Sequence, residues 1–404
     1  SYEFGRLDYE GWSFFTVVAD LPDVKSRKTC EEIIGENLPE SKKDTIEFLK
    51  ESIAQQSDKL KIAIISTPFF TVPPKGYSGL EMVVFDIAQG LVNNGHDVTI
   101  FAPEGSNIEG GKVFAFGESV NAVNVNWLEL EKDRMVKSID YILNNGFQIA
   151  HGNTWFGFEY MLKSKSPNIK VTHTHHGGLN LQFWGTSKPP FKLNFIAISK
   201  WMQQVYASQG FNSIYIYNGI DIDKYKYQES KGNRLIFVGR ASSFKQPHVA
   251  IEIAKKLGLG LDLVCGTFVD SQQYLEQVKS MCDGKQIVWH GDASHEEKIA
   301  LLQNAKCLLF PSKMGEPYGL VAAESMCTGT PCVALRDGAI PEVVEHGVTG
   351  YICDTAEDMV EAVKKVDIIS PRDCRERVER LFDRRVIARQ YADAYRKILS
   401  GEEW

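Results

Sequence analysis

The stretch Lys61-Ile-Ala-Ile-Ile-Ser-Thr-Pro-Phe-Phe-Thr-Val-Pro-Pro-Lys-Gly-Tyr-Ser-Gly-Leu80 combines an apolar run, a loop rich in proline and glycine, and a helix start. The run 61–66 has the continuous apolar character of a strand buried on both faces. The amphipathic pattern after the loop predicts a helix over about 80–94. A buried strand followed by a helix is the repeating unit of a doubly wound parallel sheet, so this stretch predicts an α/β fold.

The same unit recurs along the chain in two series. The first series of predicted strands continues at 98–102, 147–150, 171–174 and 195–198. The second series lies at 235–238, 261–264, 286–289, 307–310 and 331–334, with helices between them. Turn residues in Tyr217-Asn-Gly-Ile-Asp-Ile-Asp223 predict a hinge between the series. We therefore predict two Rossmann-like, doubly wound domains, 61–217 and 218–383, that face a ligand cleft.

The two ends of the chain differ from this pattern. Residues 1–60 are polar, with an aromatic start at Trp12-Ser-Phe-Phe15 and a predicted helix over about 43–57. They form an additional N-terminal segment, for which a surface arm packed by its aromatics is favoured over a regulatory or oligomerising extension. The chain ends in a predicted helical stretch at about 371–399.

Composition narrows the class of protein. A chain of 404 residues is too long for a single hydrophobic core. Its content of 43% hydrophobic and 24% charged residues is typical of a soluble globular protein. A net charge of -7 argues against nucleic acid as the main partner. Eight scattered cysteines without a Cys-x-x-Cys pair, and no visible signal peptide or membrane span, favour a reduced, cytoplasmic compartment. The basic run Lys25-Ser-Arg-Lys28 leaves weak peripheral membrane contact open, and an oligomer is also left open.

The run Gly315-Glu-Pro-Tyr-Gly-Leu-Val-Ala-Ala-Glu-Ser325 carries two carboxylates, Glu316 and Glu324, around a helix start. A helix start gathers unpaired N–H groups and the positive end of the helix dipole, which suits a phosphate. Glu324 would lie roughly 7–8 Å along the helix axis from Gly319, at about 1.5 Å per residue. One carboxylate on each side of a diphosphate can bind a sugar and a ribose. Taken alone, the spacing also fits one solvated and one capping glutamate.

Two loops at predicted strand ends add candidates for an anion site. Arg240 follows the strand 235–238, and Lys245 lies five residues further on. Two cations at a strand's carboxyl end can hold a diphosphate and stabilise the charge that grows as a glycosyl–phosphate bond breaks. In the first loop, Gly76 and Gly79 allow close approach of the backbone to a phosphate or an acceptor. The alternatives are a solvated cation pair and a plain tight connection.

Histidines cluster at the end of a predicted strand, in Val171-Thr-His-Thr-His-His-Gly177. Alternation places His173 and His175 on one face and His176 on the other. One hypothesis is that at least one of these histidines contacts a substrate in the cleft; the alternative is that they are buried in the core. A zinc site is less favoured, because no cysteine or acidic partner lies at ligand spacing. His151 is a second candidate for a cleft contact.

The sequence lacks the patterns of several other enzyme classes. A Walker loop and a Gly-x-Gly-x-x-Gly fingerprint are absent, which argues against ATP hydrolysis and hydride transfer. Spacing also supports neither a Ser-His-Asp nor a Cys-His nucleophile arrangement.

These residues in combination resemble glycosyltransferase family 4, of the GT-B fold. The resemblance covers about residues 61–400, and residues 1–60 have no counterpart in it. Further similar segments are Asn218-Gly-Ile-Asp221, Gly329-Thr-Pro-Cys-Val-Ala334, Gly338-Ala-Ile-Pro-Glu342 and Gly347-Val-Thr-Gly350. The family often has glycine after the lysine, where this chain has Gln246.

The resemblance implies a retaining enzyme that uses a nucleotide sugar and needs no metal or other cofactor. Arg240 and Lys245 would bind the diphosphate, with Gly79 at the first loop. Glu316 would bind sugar hydroxyls, Glu324 the ribose, and His176 the transferred sugar near its reactive carbon. Backbone groups of Tyr318, Gly319, Leu320 and Val321 would complete the donor site. The last helix, within 384–404, would pack back on the N-terminal domain.

The resemblance thus implies a hexosyltransferase, with UDP-glucose as the leading guess for the donor because it is a frequent one. The acceptor stays open between a sugar, a lipid-linked glycan and a small metabolite. One alternative is a nucleotide-sugar epimerase or hydrolase on the same fold, which would act on the donor without an acceptor. A less favoured one is a non-catalytic protein that binds nucleotide sugars.

Overall fold

The computed structural model describes strands 2–9 and 12–19 and residues 59–404, apart from 77, 121–126, 155–157, 178–192, 267–270 and 314. Residues 1–59 form a unit separate from residues 60–404. Within the first unit, β1 (Tyr2–Tyr9) and β2 (Trp12–Ala19) pair antiparallel. This two-stranded sheet is missing from the predicted elements, although its residues include many β-formers. The predicted helix at 43–57 and the basic run at 25–28 lie outside the described residues.

Two parallel sheets organise residues 60–404, as predicted. The N-terminal sheet has seven strands in the order β5-β4-β3-β6-β7-β8-β9. Its strands are β3 (Lys61–Ile65), β4 (Asp97–Ala102), β5 (Lys112–Ala115), β6 (Ile149–Gly152), β7 (Lys170–His175), β8 (Asn194–Ala197) and β9 (Ser213–Tyr215). The C-terminal sheet has six strands in the order β12-β11-β10-β13-β14-β15. Its strands are β10 (Leu235–Arg240), β11 (Leu261–Gly266), β12 (Ile287–Trp289), β13 (Cys307–Phe310), β14 (Cys332–Leu335) and β15 (Gly350–Cys353).

Helices connect the strands of each sheet. The N-terminal domain contains α1 (Gly79–Asn93), α2 (Trp127–Asn144), α3 (Phe158–Lys165) and α4 (Lys200–Ser208). The C-terminal domain contains α5 (Pro247–Leu257), α6 (Gln272–Ser280), α7 (His295–Asn304), α8 (Leu320–Cys327), α9 (Ile340–Val343), α10 (Ala356–Lys364) and α11 (Pro371–Leu381). The last helix is α12 (Arg384–Leu399). Parallel strands and helices in alternation bring the carboxyl ends of the strands to one edge of each sheet, where ligands bind in such folds.

The structure corrects several predicted element bounds. Gly239 and Arg240 belong to β10 rather than to the loop after it, because both pair in register with β11. The edge strands β5, β9 and β15 are missing from the prediction. Strands β5 and β9 are short and partly exposed, so they lack the apolar run that marks the central strands. The predicted helical stretch at 371–399 is interrupted at Asp383, whose side chain accepts the Arg385 N–H and caps α12.

Helix α12 crosses back from the C-terminal domain and packs against α1. Gly90 of α1 permits the close crossing, since a Cβ there would lie 2.7 Å from the Cβ of Ala388 and 2.9 Å from the carbonyl oxygen of Arg384. Arg384 also forms ion pairs with Asp86 of α1 at 3.4 Å and, at 3.0 Å, with Asp221 of the segment 217–223 that links the two domains, called the linker below. Burial raises the pKa of Asp86 to about 7, although Arg384 opposes the shift. Asp86, at the contact between α1 and α12, therefore titrates near neutral pH.

The raised pKa of Asp86 predicts a pH-dependent effect of Asp86→Asn on stability. Folded Asp86 retains its proton at pH values where the unfolded chain has lost it, so its contribution to stability is present at low pH and is lost as pH rises through about 7. Between pH 5.5 and 8 the wild type should lose about 2 kcal/mol relative to the variant. Urea unfolding of both proteins at the two pH values measures this difference. A stability difference that is equal at both pH values would contradict the assignment.

Candidate active site

A cavity of about 760 Å³ lies between the two sheets, within the size range of about 300–1,000 Å³ for ligand sites. The N-terminal domain contributes the loop before α1 and the end of β7, namely Lys75, Gly76, Ser78, Gly79, His176 and Gly177. The C-terminal domain contributes Gly239, Lys245, Lys298 and the segment from Glu316 to Glu324. The structure therefore brings most of the predicted site residues to one cleft.

Glu316 and Lys245 form an ion pair inside this cavity. The two side chains are 10% and 19% exposed, so solvent screens the pair less than it screens a surface pair. The hydroxyl of Ser312 donates a second hydrogen bond to Glu316, at 3.2 Å. A cation and a carboxylate at one point of the cleft can contact a phosphate and a sugar hydroxyl that lie side by side.

The start of α8 separates the two glutamates. Gly319 caps the helix with a φ of 92°, a left-handed conformation that favours glycine, and a Cβ there would approach Ile340 to 2.5 Å. The first N–H groups of a helix have no partner within it, and Leu320 and Val321, the first two residues of α8, line the cavity. Tyr318 is buried and donates its hydroxyl to the Asn218 carbonyl at 2.8 Å, which ties this turn to the linker. The start of α8 therefore lies at the cavity, where its free N–H groups can bind an anion.

Glu324, one turn into α8, is held by partners that the sequence does not single out. Lys298 of α7 donates to both carboxylate oxygens, at 2.8 and 2.9 Å, and the Tyr225 hydroxyl donates at 2.8 Å. Lys298 is 12% exposed and Glu324 only 5%. Spacing alone could not reveal this pair, because the two residues come from different helices and meet only in the folded domain.

A turn after β14 fixes the backbone that carries Glu316. The Asp337 carboxylate accepts the N–H groups of Gly315 at 2.9 and 3.0 Å and of Glu316 at 2.9 Å. The Ala339 N–H donates to the Glu316 carbonyl at 2.8 Å. Gly338, with a φ of 50°, packs directly on this backbone, and a Cβ there would overlap the nitrogen and the carbonyl group of Glu316. The turn at 337–339 therefore fixes the position of the Glu316 backbone.

We expect Gly338→Ala to displace the Glu316 loop and to lower activity by about 100-fold, since a shift of about 1 Å at a reacting group can cost that much. The variant also places a non-glycine residue at positive φ, which costs about 1 kcal/mol. Thermal unfolding and initial rates measure the two effects separately. Gly347→Ala is a matched control, because Gly347 also has a positive φ, 80°, but its Cβ would meet open space. Equal losses of activity in both variants would contradict a specific effect on Glu316.

His176 lies at the cavity, and its orientation is fixed from the interior. Its Nε2 lies 2.8 Å from Oδ1 of Asn153, while the Asn153 amide donates to the Ile65 carbonyl at 3.3 Å. That orientation of Asn153 makes Nε2 of His176 the protonated nitrogen. Burial lowers the pKa of His176 to about 3, so the ring is neutral at neutral pH. A neutral, oriented imidazole suits a hydrogen bond to a sugar rather than acid catalysis.

The other histidines singled out in the sequence, His151, His173 and His175, do not line the cavity. His151 is fully buried in β6, with its ring nitrogens 2.7 Å from the Tyr395 hydroxyl and 2.8 Å from the Thr174 hydroxyl, so its prediction as a cleft contact is wrong. His173 and His175 stack on one face of β7, as alternation predicts. His173 contacts the buried Glu159 at 2.8 Å, an acidic partner that sequence spacing did not reveal. In the described part of the chain, no group of three or more His, Cys, Asp or Glu residues could hold a metal ion.

The loop before α1 is held by a buried carboxylate. Glu81 accepts hydrogen bonds from the hydroxyls of Thr67, two residues after β3, and Ser78, the residue before α1. This contact joins both ends of the glycine loop. Gly76 and Gly79 face open space in the cleft, so a ligand can approach their backbone.

Arg240 and Lys245 occupy different positions at the end of β10. Lys245 reaches the cavity and lies over the Phe310 ring at 5.5 Å, whereas Arg240 ends the strand and lies outside the cavity lining. Gln246 has a left-handed φ of 55°, a conformation that glycine adopts without steric cost. Gln246 then precedes α5, which begins at Pro247.

Other features bear on the predicted compartment. The cysteines within residues 59–404 are free thiols, most of them buried. No helix among the described residues is long and apolar enough to cross a membrane.

Two facing Rossmann-like sheets, with the start of α8 and the pairs Lys245–Glu316 and Lys298–Glu324 in the cleft between them, define a GT-B protein. A family model described as glycosyl transferases group 1 matches residues 220–379, and one described as glycosyltransferase family 4 matches residues 77–224. The chain belongs to the glycosyltransferases of family 4 type, with the GT-B fold. The predicted family and fold class are confirmed.

Individual relatives agree with this assignment. An uncharacterised glycosyltransferase of Methanocaldococcus jannaschii is 25% identical over 332 residues, which cover 72% of this chain and 84% of the relative. The sucrose-phosphate synthase of Thermosynechococcus elongatus matches 85% of this chain and all of its own, with a TM-score of 0.69 and 19% identity. The Anabaena protein HepE, crystallised with UDP-glucose, matches 84% of this chain and all of its own, with a TM-score of 0.65 and 17% identity. The two structural likenesses concern the fold.

Proposed function

We propose that this glycosyltransferase moves a hexose, with retention of configuration, from a nucleoside diphosphate sugar to an acceptor hydroxyl. UDP-glucose is the leading donor, and HepE, which shares the fold, binds it. The observation that carries the proposal is the pairing of Lys245 with Glu316 beside the start of α8, with the pair of Lys298 and Glu324 one turn further along. This order matches the order of sugar, diphosphate and ribose in a nucleotide sugar.

Each part of the donor has a matching group in the cleft. The diphosphate lies at the α8 start and between Lys245 and the loop at Gly79, with Arg240 adding positive charge nearby. Glu316 accepts hydrogen bonds from the sugar hydroxyls, and His176 contacts the same sugar from the N-terminal domain. The ribose hydroxyls donate to Glu324. Tyr318, Gly319, Leu320 and Val321 line the cavity at this point, which supports the proposal that their backbone binds the phosphates.

The reaction follows from these positions. The bond between the anomeric carbon and the phosphate oxygen breaks, and the acceptor oxygen bonds to the same face of that carbon. The leaving phosphate oxygen takes the acceptor's proton, so the enzyme supplies no nucleophile. The protein contributes by positioning both substrates and by stabilising negative charge at the diphosphate. No metal takes part, so activity should persist in EDTA.

A thermal-shift screen against UDP-, GDP- and ADP-sugars tests the donor site. A donor present at 100 times its Kd stabilises the folded protein by about 2.7 kcal/mol, and UDP-glucose should give the largest shift. NMR of the product made from an α-linked donor then reports the anomeric configuration, which should remain α. The absence of a shift with every nucleotide sugar would contradict the proposal.

Incubation with donor alone separates the two enzymatic alternatives. An epimerised donor, or free sugar released at the rate of transfer, would favour the epimerase or hydrolase. Saturable donor binding without nucleotide release across sugars, lipid-linked glycans and small metabolites would instead favour a binding protein. We expect nucleotide release that depends on an acceptor.

A further inference from the structure

The N-terminal end of α4, which belongs to the N-terminal domain, docks onto the segment of the C-terminal domain that carries Glu316. Ser199 caps α4 by accepting the Met202 N–H at 3.0 Å, and its own hydroxyl donates to the carbonyl of Pro317 at 2.8 Å. Pro317 directly follows Glu316. Ser199 of the N-terminal domain therefore contacts the backbone of the C-terminal domain next to Glu316.

A second contact at the same place is charged. The Glu342 carboxylate accepts the N–H of Lys200 at 2.8 Å and the N–H of Trp201 at 2.7 Å. It also accepts the hydroxyl of Tyr217 in the linker, at 3.1 Å. Burial and the neighbouring Glu342 raise the pKa of Tyr217, so this hydroxyl stays protonated. A carboxylate bound to the N–H groups of a helix start is also favoured by the helix dipole.

Glu342 is coupled to Glu316 through the turn described above. The segment from Asp337 to Glu342 binds the backbone of Glu316 at its beginning and the N-terminal end of α4 at its end. Arg377 holds this segment in place by donating to the carbonyl groups of Glu342 at 2.8 Å and Val343 at 2.7 Å. The two contacts of α4 thus reach Glu316 from both sides, through Pro317 and through the 337–342 turn.

We propose that Glu342, with Ser199, is a positioning residue that sets Glu316 only when the N-terminal domain is docked. The carboxylate that binds the transferred sugar is then held in place by the domain that presents the acceptor. The coupling rests on the proposed function only for the role of Glu316, because the contacts themselves do not depend on the donor. Its consequence is that a weakened contact lowers turnover without weakening nucleotide binding.

Glu342→Ala tests this coupling, with Tyr217→Phe as a milder variant that removes one hydrogen bond. We expect kcat to fall by about tenfold to 100-fold in Glu342→Ala, as small displacements at a reacting group do, and by less in Tyr217→Phe. UDP affinity by calorimetry should stay within about twofold, since Lys245 and Glu324, which are proposed to hold the diphosphate and the ribose, do not contact Glu342. Hydrogen exchange should accelerate in a peptide over 199–208 and also in one over 315–321.

Asp358→Ala is the matched control. The Asp358 carboxylate also accepts a backbone N–H at a helix start, that of Thr355 at 3.0 Å, but this contact lies within the C-terminal domain. The control should leave the exchange of 315–321 and kcat unchanged. Faster exchange in 199–208 alone, with normal kcat, would reduce Glu342 to a helix cap and overturn the proposal. Faster exchange in 315–321 would support the coupling even if every nucleotide sugar failed to bind.

Discussion

Replacing Glu316 by alanine is expected to lower kcat by about 1,000-fold while the protein stays folded. The variant removes the carboxylate that would bind the sugar hydroxyls and leaves Lys245 without the ion pair that it forms in the cleft. Interactions that matter most in the transition state affect kcat more than donor binding, and a single positioned group of this kind contributes about 100- to 1,000-fold. Initial rates at saturating donor measure the effect.

Two further variants make the Glu316 result specific. Glu316→Gln keeps the size of the side chain but not its charge, so it should recover little activity if the carboxylate is required. Glu361→Ala removes an exposed carboxylate that pairs with Lys364 far from the cleft, and should be neutral. Full turnover in Glu316→Ala would contradict the assignment of this cleft as the active site.

Replacing Glu324 by alanine is expected to raise the donor KM by about 30-fold, equivalent to about 2 kcal/mol, with kcat within about threefold. Glu324 would hold the ribose, which does not react, so its loss weakens ground-state and transition-state binding alike. Calorimetry with UDP should show the same loss of affinity. A fall in kcat at unchanged UDP affinity would move Glu324 from the ribose to the reacting sugar.

The partner of Glu324 provides the control for charge effects. Glu324→Ala leaves Lys298, which is 12% exposed, without its carboxylate, and an unpaired cation at that depth is costly. The double variant Glu324→Ala with Lys298→Ala should therefore be more stable to heat than Glu324→Ala alone. If both variants bind UDP equally weakly, the loss of affinity belongs to the carboxylate; recovery of UDP affinity in the double variant would assign it to the stranded lysine.

The sheets were predictable because their central strands are buried on both faces. Runs such as 62–65 and 307–310 are continuously apolar, and the loops between them carry clear turn residues. Short edge strands such as β5 and β9 gain their stability from one neighbour and carry mixed residues, so no pattern marks them. The pairing of β1 with β2 was missed because the prediction rests on strands that alternate with helices, and that pattern does not mark an antiparallel hairpin.

The candidate site was predictable where its residues lie close together in the sequence. Glu316, Glu324 and the helix start between them form one local motif, and Lys245 follows a recognisable strand. Lys298, Asp337, Ser199 and Glu342 could not be assigned in this way, because each acts through a partner that is 21 to 142 residues away. His151 lies at the end of a predicted strand, where a cleft residue is also expected. Only the packing of α12 against β6 shows that His151 is buried.

The sequence by itself determined the α/β class, the two sheets and the local motif of Glu316 and Glu324, because these depend on periodicity and on neighbours along the chain. The tertiary structure decided which side chains meet in the cleft and how they are held. It paired each glutamate with a lysine, buried His151 and joined α4 to the Glu316 loop. These features depend on how separate helices and loops pack, and local sequence patterns do not encode that packing.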